Sequence, residues 1–229
     1  LDLCVRQEKN GHAATSLLFF SSSEVYGDPA PDKIPTSEDY YGYVSFTGPR
    51  ACYDESKRYG ETLCVNYHQQ LGVPVQIVRP FNNYGPGLKM ADRRVIPDFA
   101  KAIFAGEDLV LLSDGSPSRT FCYIADAING YLRVLTHGHV CEPYNIGSDG
   151  PEVSILQLAE AMAKAASETL GYQGKVVSQK SDDPEYLTDN PQRRCPNITK
   201  ARTELGFSAS IDLSTGRTRP LQWYQQNQS

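Results

Sequence analysis

The stretch that decides the fold runs from Gly48 to Leu71 and reads GPRACYDESKRYGETLCVNYHQQL. It opens with a Gly-Pro turn and contains no further proline before Pro74, so it predicts one long helix. Tyr53 and Lys57 are four residues apart in this stretch and therefore share one face of the helix. The helix is thus expected to carry a phenol and a cation one turn apart.

The face that carries Lys57 should be packed, because Cys64 and Leu71 continue it and Gly60 lies close to it. A phenol has a pKa near ~10 and is a poor base at neutral pH, whereas a cation one turn away favours the phenolate. Lowering a phenol pKa by about three units needs roughly 4 kcal/mol, which a close pair in a partly dry site supplies. We therefore interpret Tyr53 and Lys57 as an acid/base pair; the alternative is an ordinary helix face.

Composition narrows the class of protein. The chain has 229 residues, 40% of them hydrophobic and 21% charged, with a net charge of −5. This balance argues against a general nucleic-acid or membrane-surface binder, so an anionic ligand would need a local cluster of arginines. The six cysteines are scattered without a Cys-x-x-Cys pair, so we expect reduced thiols in a cytoplasmic protein and no metal site. No apolar run is long enough to span a bilayer, and no membrane partner is expected.

Two apolar runs flank the long helix and predict buried parallel strands, over residues 16–20 and 73–78. The first run is followed by SSSEVYG (21–27) and the second by RPFNNYGP (79–86), a predicted polar turn. Open α/β sheets place their chemistry at the carboxyl ends of parallel strands, so both stretches are candidate site segments. The alternative is that the serines only form a turn.

Alternating helices and strands continue along the chain, which predicts an α/β fold with a parallel sheet in its first part. Further helices are predicted over 1–10, 93–104, 126–135, 155–170, 198–205 and 213–224, and further strands over 109–112, 120–124, 143–146 and 175–179. Ser154 and Gln157 are expected to form a capping box at the start of the 155–170 helix. The elements are shorter and mixed from about residue 83, which indicates a smaller C-terminal substrate lobe.

Together the motifs resemble a known family. Three motifs occur in the order used by extended short-chain dehydrogenases/reductases that act on nucleotide sugars: SSEVYG (22–27), Tyr53-x-x-x-Lys57 and RPFNNYGP (79–86). EDYYG (38–42), followed by GPRACYDESKR (48–58), is similar to the UDP-glucuronate decarboxylase (UDP-xylose synthase) branch. RTFCYI (119–124) and DNPQRRCPNI (189–198) resemble its later motifs.

The resemblance implies a partial Rossmann-like NAD-binding domain over 1–82, interleaved with later segments, and a mainly nucleotide-sugar-binding lobe over 83–229. One motif of the family has no counterpart here. No glycine-rich turn of the G-x-G-x-x-G type, which receives the NAD pyrophosphate at a helix N-terminus, follows a strand in this sequence. From the ~30-residue size of a βαβ unit we expect about three units, on the order of 90 residues, to be missing.

The reaction implied by the resemblance is oxidation of the sugar at C4 by NAD, which places the C6 carboxylate β to a ketone. Carbon dioxide then leaves, its electron pair enters the enolate, and reduction at C4 regenerates NAD. Tyr53 would take the proton of the C4 hydroxyl, while Lys57 would lower the pKa of Tyr53 and bind the nicotinamide ribose. The alternative for both residues is a packed helix face.

The SSSE motif supplies the next candidates by resemblance. Ser22 would hydrogen-bond the reacting hydroxyl, and Glu24 would lie near C5 and C6 of the sugar. Related 4,6-dehydratases have an aspartate where this chain has Ser23, so the serine leaves no second acid and favours decarboxylation. Arg119 would meet the substrate carboxylate or diphosphate, because its planar fork matches paired oxygens. The alternatives are that Ser22 only forms a turn, that Glu24 is a carboxylate at the rim of the site, and that Arg119 belongs to a surface ion pair.

The remaining candidates follow from the same resemblance. Ser23 is a further predicted contact to the substrate. Predicted contacts to the UDP-sugar diphosphate and uridine come from Asn82, Arg94, Arg194 and Tyr186, and Ser21 and Pro80 join Tyr53 and Lys57 as predicted NAD contacts. The resemblance also implies a homodimer. Two other functions stay open: a nucleotide-sugar 4-epimerase or 4,6-dehydratase, and a non-catalytic protein that binds a nucleotide sugar or a partner.

Overall fold

The computed structural model describes residues 1–92, 94–179, 181, 188 and 190–227. The α-helices are α1 (Asp2–Lys9), α2 (Ala51–Leu71), α3 (Val95–Ala105), α4 (Ile124–His137), α5 (Ile155–Leu170), α6 (Thr199–Leu205), α7 (Leu213–Gly216) and α8 (Thr218–Gln226). The strands are β1 (Leu17–Phe20), β2 (Val75–Pro80), β3 (Asn83–Tyr84), β4 (Leu109–Leu111), β5 (Ser118–Arg119), β6 (Cys122–Tyr123), β7 (Pro143–Ile146), β8 (Val153–Ser154), β9 (Val176–Ser178) and β10 (Arg193–Arg194). Short 3-10 turns cover Ser23–Tyr26, Pro31–Lys33 and Met90–Asp92. No helix within these described ranges is both long and apolar enough to cross a membrane.

A parallel sheet forms the base of the site. Within the described ranges its strands lie in the order β1-β2-β7, with Leu17 opposite Val75 and Ile77 opposite Pro143. β2 (VQIVRP) is buried over its first five residues. Burial of both faces explains why its β-branched residues, Val75, Ile77 and Val78, do not follow a strict alternation. The predicted α/β class is therefore confirmed. Because β7 comes from the second half of the chain, the sheet interleaves with later segments; the division at residue 82 stays a prediction.

Helix α2 packs closely on β1, and a glycine makes this approach possible. A Cβ atom at Gly60 would lie 2.2 Å from Cζ of Phe19, so a larger residue would push the helix off the strand. Cys64 is buried on the same side, as predicted. The prediction that Leu71 continues this packed face is wrong, since Leu71 is 47% exposed. Leu71 is the last residue of the helix, and Gly72 ends it in the left-handed conformation.

A buried polar network fixes α2 to the sheet. Glu61 on α2 accepts two hydrogen bonds from Arg79 on β2, at 2.8 and 2.6 Å. Arg79 also donates to the hydroxyl of Tyr26 at 2.7 Å, and Tyr26 donates to Oδ1 of Asn145 on β7 at 2.8 Å. Since Tyr26 ends the 3-10 turn that contains Glu24, the network connects the helix, the sheet and the polar segment after β1.

Removal of one partner from this network should destabilise the fold strongly. The side chains of Arg79 and Glu61 are only 11% and 15% exposed, so Arg79→Met leaves a buried carboxylate without its cation. We expect a loss of about 3 kcal/mol or more in the free energy of unfolding, measured by urea denaturation. The matched control is Glu152→Gln, which breaks the more exposed pair with Arg193 and should cost less than about 1 kcal/mol. Equal losses in the two variants would contradict the account.

The C-terminal half contains several predicted elements with their expected ends. The capping box of α5 is present, because Ser154 Oγ accepts from the backbone of Gln157 and the Gln157 side chain accepts from the backbone of Ser154. The strand over 143–146 is also confirmed. The 213–224 helix is wrong as a single element: it is divided between α7 and α8. Pro220 explains the break, because it has no N–H to donate to the carbonyl of Gly216 four residues earlier.

Other boundaries also differ from the prediction. The segment over 120–124 is extended only at β6, and Ile124 already begins α4. Helix α3 begins at Val95, and Arg93, its predicted first residue, lies outside the described residues. The 79–86 stretch is less polar than predicted, because Phe81 and Tyr84 are each 1% exposed. Its second half forms β3, which pairs with β6 in parallel and brings the polar turn against the C-terminal half.

Candidate functional site

The polar segment after β1 forms one wall of the site. β1 ends at Phe20, and Ser22 then caps the 3-10 turn, with its Oγ accepting a hydrogen bond from the backbone N–H of Glu24 at 3.2 Å. Ser21, Ser22 and Ser23 are all buried. The predicted carboxyl-end location is therefore correct for this motif, and the cap holds Ser22 and Glu24 in fixed relation to each other.

Tyr53 and Lys57 lie together on α2 beside that segment. Lys57 donates from Nζ to the carbonyl oxygen of Phe20 at 2.9 Å, which ties the amine to the end of β1. The same nitrogen lies 5.6 Å from the centre of the Tyr53 ring. Tyr53 is 50% exposed, so its ring is open to a ligand and is not enclosed in the core. The geometry keeps the phenol and the cation one turn apart, as the sequence predicts.

A cleft of about 410 Å³ opens next to these residues. Its polar lining comes from Glu24, Arg50, Asn82, Asn83, Arg94, Asp98, Ser113, Arg119, Asn190 and Arg194. Tyr53, Lys57 and Ser22 are not in the lining; they lie beside the cleft. Tyr53 is close to Arg50, which lines the cleft, because the backbone N–H of Tyr53 donates to the carbonyl of Arg50 one turn earlier.

Two predicted arginines meet because of a short parallel pairing. Strand β10 pairs with β5 so that Arg194 lies directly opposite Arg119. Arg119 is 8% exposed and donates to the carbonyls of Ser118, Pro191 and Gln192 and to Oδ1 of Asn190. Burial, followed by the neighbouring Arg194 cation, lowers the pKa of Arg119 to about 10. A guanidinium held among neutral oxygens and facing another cation favours an anion in the cleft.

Glu24 is the carboxylate in contact with this cluster. Arg194 donates to both of its oxygens, and Arg50 lies 2.8 Å from its Oε2. Burial alone would raise the pKa of Glu24, but the charges and hydrogen bonds of Arg194 and Arg50 outweigh it and hold this pKa below its usual value. Glu24 is therefore ionised and bound to two cations in the ligand-free cleft.

The other predicted site residues differ in how close they lie to the cleft. Asn82 donates from Nδ2 to the carbonyl of Thr120 at 3.1 Å and lines the cleft. Arg94 also lines it but is half exposed and paired with Asp92. Pro80 is the last residue of β2, at the same sheet edge as Ser21. Tyr186 lies outside the described residues.

Sequence reasoning missed five polar residues of the cleft: Arg50, Asn83, Asp98, Ser113 and Asn190. Arg50 was detectable, because it lies three residues before Tyr53 and one helical turn places it on the same side. Asn83 belongs to the quoted RPFNNYGP stretch, and its Nδ2 donates to the hydroxyl of Tyr131. Asn190 belongs to the quoted DNPQRRCPNI stretch, and its Oδ1 accepts a hydrogen bond from Arg119.

The parallel sheet, the Tyr-x-x-x-Lys helix against its first strand and the serine-rich strand end define an α/β protein of the Rossmann type. Comparison with protein families supports this class. The model described as "NAD dependent epimerase/dehydratase family" matches residues 1–147, which is more than half of the chain. The chain belongs to this family.

Relatives and solved structures agree with that assignment. The chain is 39% identical over 211 residues to UDP-glucuronic acid decarboxylase 1 of Xenopus tropicalis, covering 91% of this chain and 47% of the relative. It is 38% identical over 200 residues to UDP-glucuronic acid decarboxylase 5 of Arabidopsis thaliana, covering 87% of this chain and 55% of the relative. It therefore spans about half the length of the curated relatives it matches.

Two solved structures show the shared fold. UDP-glucuronic acid 4-epimerase of Bacillus cereus, in complex with UDP-glucuronic acid and NAD, is 26% identical with a TM-score of 0.72, covering 92% of this chain and 61% of that one. UDP-glucose 4-epimerase of Thermotoga maritima superposes with a TM-score of 0.82, covering 99% of this chain and 68% of that one. At 21% identity, the second likeness concerns the fold alone.

Proposed function

We propose that the protein takes part in NAD-dependent decarboxylation of UDP-glucuronate to UDP-xylose through a 4-keto sugar. One observation carries the proposal: a cleft beside the Tyr53–Lys57 pair is lined by four arginines, Arg50, Arg94, Arg119 and Arg194, and by two carboxylates, Glu24 and Asp98. Such a cleft suits a substrate with several negative charges. The names of the relatives point to the same substrate.

Oxidation at C4 requires a base and a hydrogen-bond donor at the sugar hydroxyl. Tyr53 is the proposed base, since it is open to a ligand and has the Lys57 amine one turn away. Lys57 is oriented by the carbonyl of Phe20, so its charge stays beside the phenol. Ser22 is the proposed partner of the C4 hydroxyl, because its turn holds it at the end of β1.

Loss of carbon dioxide needs the C6 carboxylate to be oriented while the C4 ketone is present. The C5–C6 bond then breaks, its electron pair enters the C4–C5 enolate, and a proton adds at C5. Glu24 and Arg119 are the proposed neighbours of C5 and C6. Ser23 is buried and supplies no second acid next to Glu24, which disfavours elimination of a C6 hydroxyl group and so favours the decarboxylase over a 4,6-dehydratase.

The diphosphate and uridine are assigned to the other polar side chains of the cleft. Arg194 and Arg94 offer planar forks that match pairs of phosphate oxygens, and Asn82 lines the same cleft. Asn82 adopts φ +34 within the 79–86 stretch, and its side chain donates to the carbonyl of Thr120.

The residues at the sheet edge fit the nicotinamide end of NAD. Ser21 has a buried hydroxyl with no hydrogen-bond partner among the described residues, and it lies next to the carbonyl of Phe20 that orients Lys57. Pro80 ends the neighbouring strand. NAD would be held by Ser21, Pro80, Tyr53 and Lys57. When bound, NAD supplies oxidation and re-reduction at sugar C4. A homodimer and a cytoplasmic location stay predictions.

Product analysis tests the proposal. We expect UDP-glucuronate labelled with ¹³C at C6, incubated with the protein and NAD, to release labelled carbon dioxide and leave unlabelled UDP-xylose in NMR spectra. UDP-glucose, which lacks the carboxylate, should release none. Label retained in a C4-inverted UDP-sugar would instead establish a 4-epimerase, the second candidate, which the likeness to the Bacillus cereus enzyme favours. Binding of UDP with no turnover and no NAD binding would indicate a non-catalytic protein.

A further inference from the structure

Glu24 occupies the positions that an incoming anion would take. Its side chain is 14% exposed, and both of its oxygens are engaged by guanidinium groups. Arg194 approaches from β10 and Arg50 from the turn before α2, two segments separated by more than a hundred residues in sequence. The two arginines lie in the lining of the same cleft as Glu24. The carboxylate therefore acts on them as a ligand would.

The charged groups nearest to Glu24 are mainly cations. Arg119 faces the pair from β5, opposite Arg194, and Asp28 follows the 3-10 turn and acts on Arg119 at longer range. Arg119 itself is held by carbonyl and amide oxygens, which carry no net charge. Arg50 and Arg194 are both paired with the Glu24 carboxylate. A second anion can reach both arginines only if Glu24 moves or shares them.

We propose that Glu24 is an internal anion which holds Arg50 and Arg194 until it is displaced by the diphosphate or carboxylate of a nucleotide sugar. The inference rests on the proposed function, since it concerns the same cleft. Displacement frees the Glu24 carboxylate to face C5 and C6 of the sugar only after the substrate has bound. It also returns the pKa of Glu24 towards or above its usual value, because the two cations that lower it are then shared with the substrate.

The most direct test is a variant that should bind anions more tightly but catalyse decarboxylation more slowly. Glu24→Gln keeps the shape of the side chain but removes the charge that holds the two arginines. We expect calorimetry to show pyrophosphate and UDP-glucose binding roughly tenfold more tightly to Glu24→Gln than to the unaltered protein, since a charge-assisted contact no longer competes. A carboxylate that merely lines the cleft predicts affinity changed by less than about twofold.

Glu152→Gln is the control, because it removes another carboxylate whose two oxygens are bound by an arginine, Arg193, the residue next to Arg194. Its affinity for pyrophosphate should equal that of the unaltered protein. Equal or weaker binding by Glu24→Gln would overturn the inference, and so would equal tightening in both variants. Tighter pyrophosphate binding by Glu24→Gln, with no decarboxylation by the unaltered protein, would support the inference and refute the proposed function.

A second measurement needs no variant. UDP-glucose carries a diphosphate diester that does not titrate near pH 5, so any proton taken up from the buffer on binding is taken up by the protein. Calorimetry in two buffers of different ionisation enthalpy should show net proton uptake near pH 5, as displaced Glu24 becomes easier to protonate. Absence of uptake at that pH, with binding intact, would contradict displacement.

Discussion

Tyr53→Phe is expected to reduce the rate of UDP-glucuronate decarboxylation by a factor of about 10² to 10⁴. The substitution removes the hydroxyl that is proposed to take the proton of the sugar C4 hydroxyl, and it leaves the ring and the helix unchanged. Tyr53 is half exposed near the N-terminus of α2, so the loss of one oxygen should not alter stability by more than about 0.5 kcal/mol. The measurement is steady-state kcat together with the unfolding midpoint in urea.

The control for this variant is Tyr59→Phe. Tyr59 lies on the same helix and is also exposed, but it faces a groove with Glu55 and Thr62 away from the cleft. Its loss of a hydroxyl should leave kcat within about twofold of the unaltered value. A Tyr53→Phe protein that folds normally and retains full kcat would remove the basis for the acid/base assignment.

Arg119→Lys is the second substitution with a large expected effect. Lysine keeps the charge but cannot reproduce a planar fork that donates at once to three carbonyls and to the amide of Asn190. Of these four contacts, the one with Pro191 is buried and the others are partly buried. The substitution also displaces the charge that is proposed to lie beside the sugar carboxylate. We expect kcat/KM for UDP-glucuronate to fall by about 10² to 10³.

Arg133→Lys provides a comparison on α4. Arg133 also donates to a carbonyl, that of Leu205, and to an asparagine, Asn129, but it lies outside the cleft lining. Kinetic constants unchanged in Arg133→Lys and reduced in Arg119→Lys would locate the effect in the cleft. If Arg119→Lys loses only stability, and its folded fraction accounts for the whole loss of rate, Arg119 is a structural residue.

The sequence predicts the elements that depend on local patterns. The 51–71 helix follows from a Gly-Pro turn and an uninterrupted helical run, and the capping box at Ser154 follows from a three-residue spacing. Both strands beside the helix follow from short apolar runs. The contact of Lys57 with the end of β1 agrees with a parallel sheet whose site lies at its carboxyl edge.

The contacts that build the cleft are not local, and this is why they escaped prediction. Arg119 and Arg194 meet through two-residue strands, which are too short to leave a periodic pattern in the sequence. The pairing of Glu24 with Arg50 and Arg194 joins three segments that only the tertiary fold brings together. The roles of the site residues in catalysis stay predictions.

A crystal structure of the protein with UDP-glucuronate and NAD tests the central claim most directly. The account predicts the Tyr53 hydroxyl within about 3 Å of the C4 oxygen of the sugar. It also predicts Glu24 and Arg119 beside C5 and C6, and Arg194 bonded to an oxygen of the substrate. A sugar ring seated with its C4 oxygen out of hydrogen-bond reach of both Tyr53 and Ser22 would contradict the account.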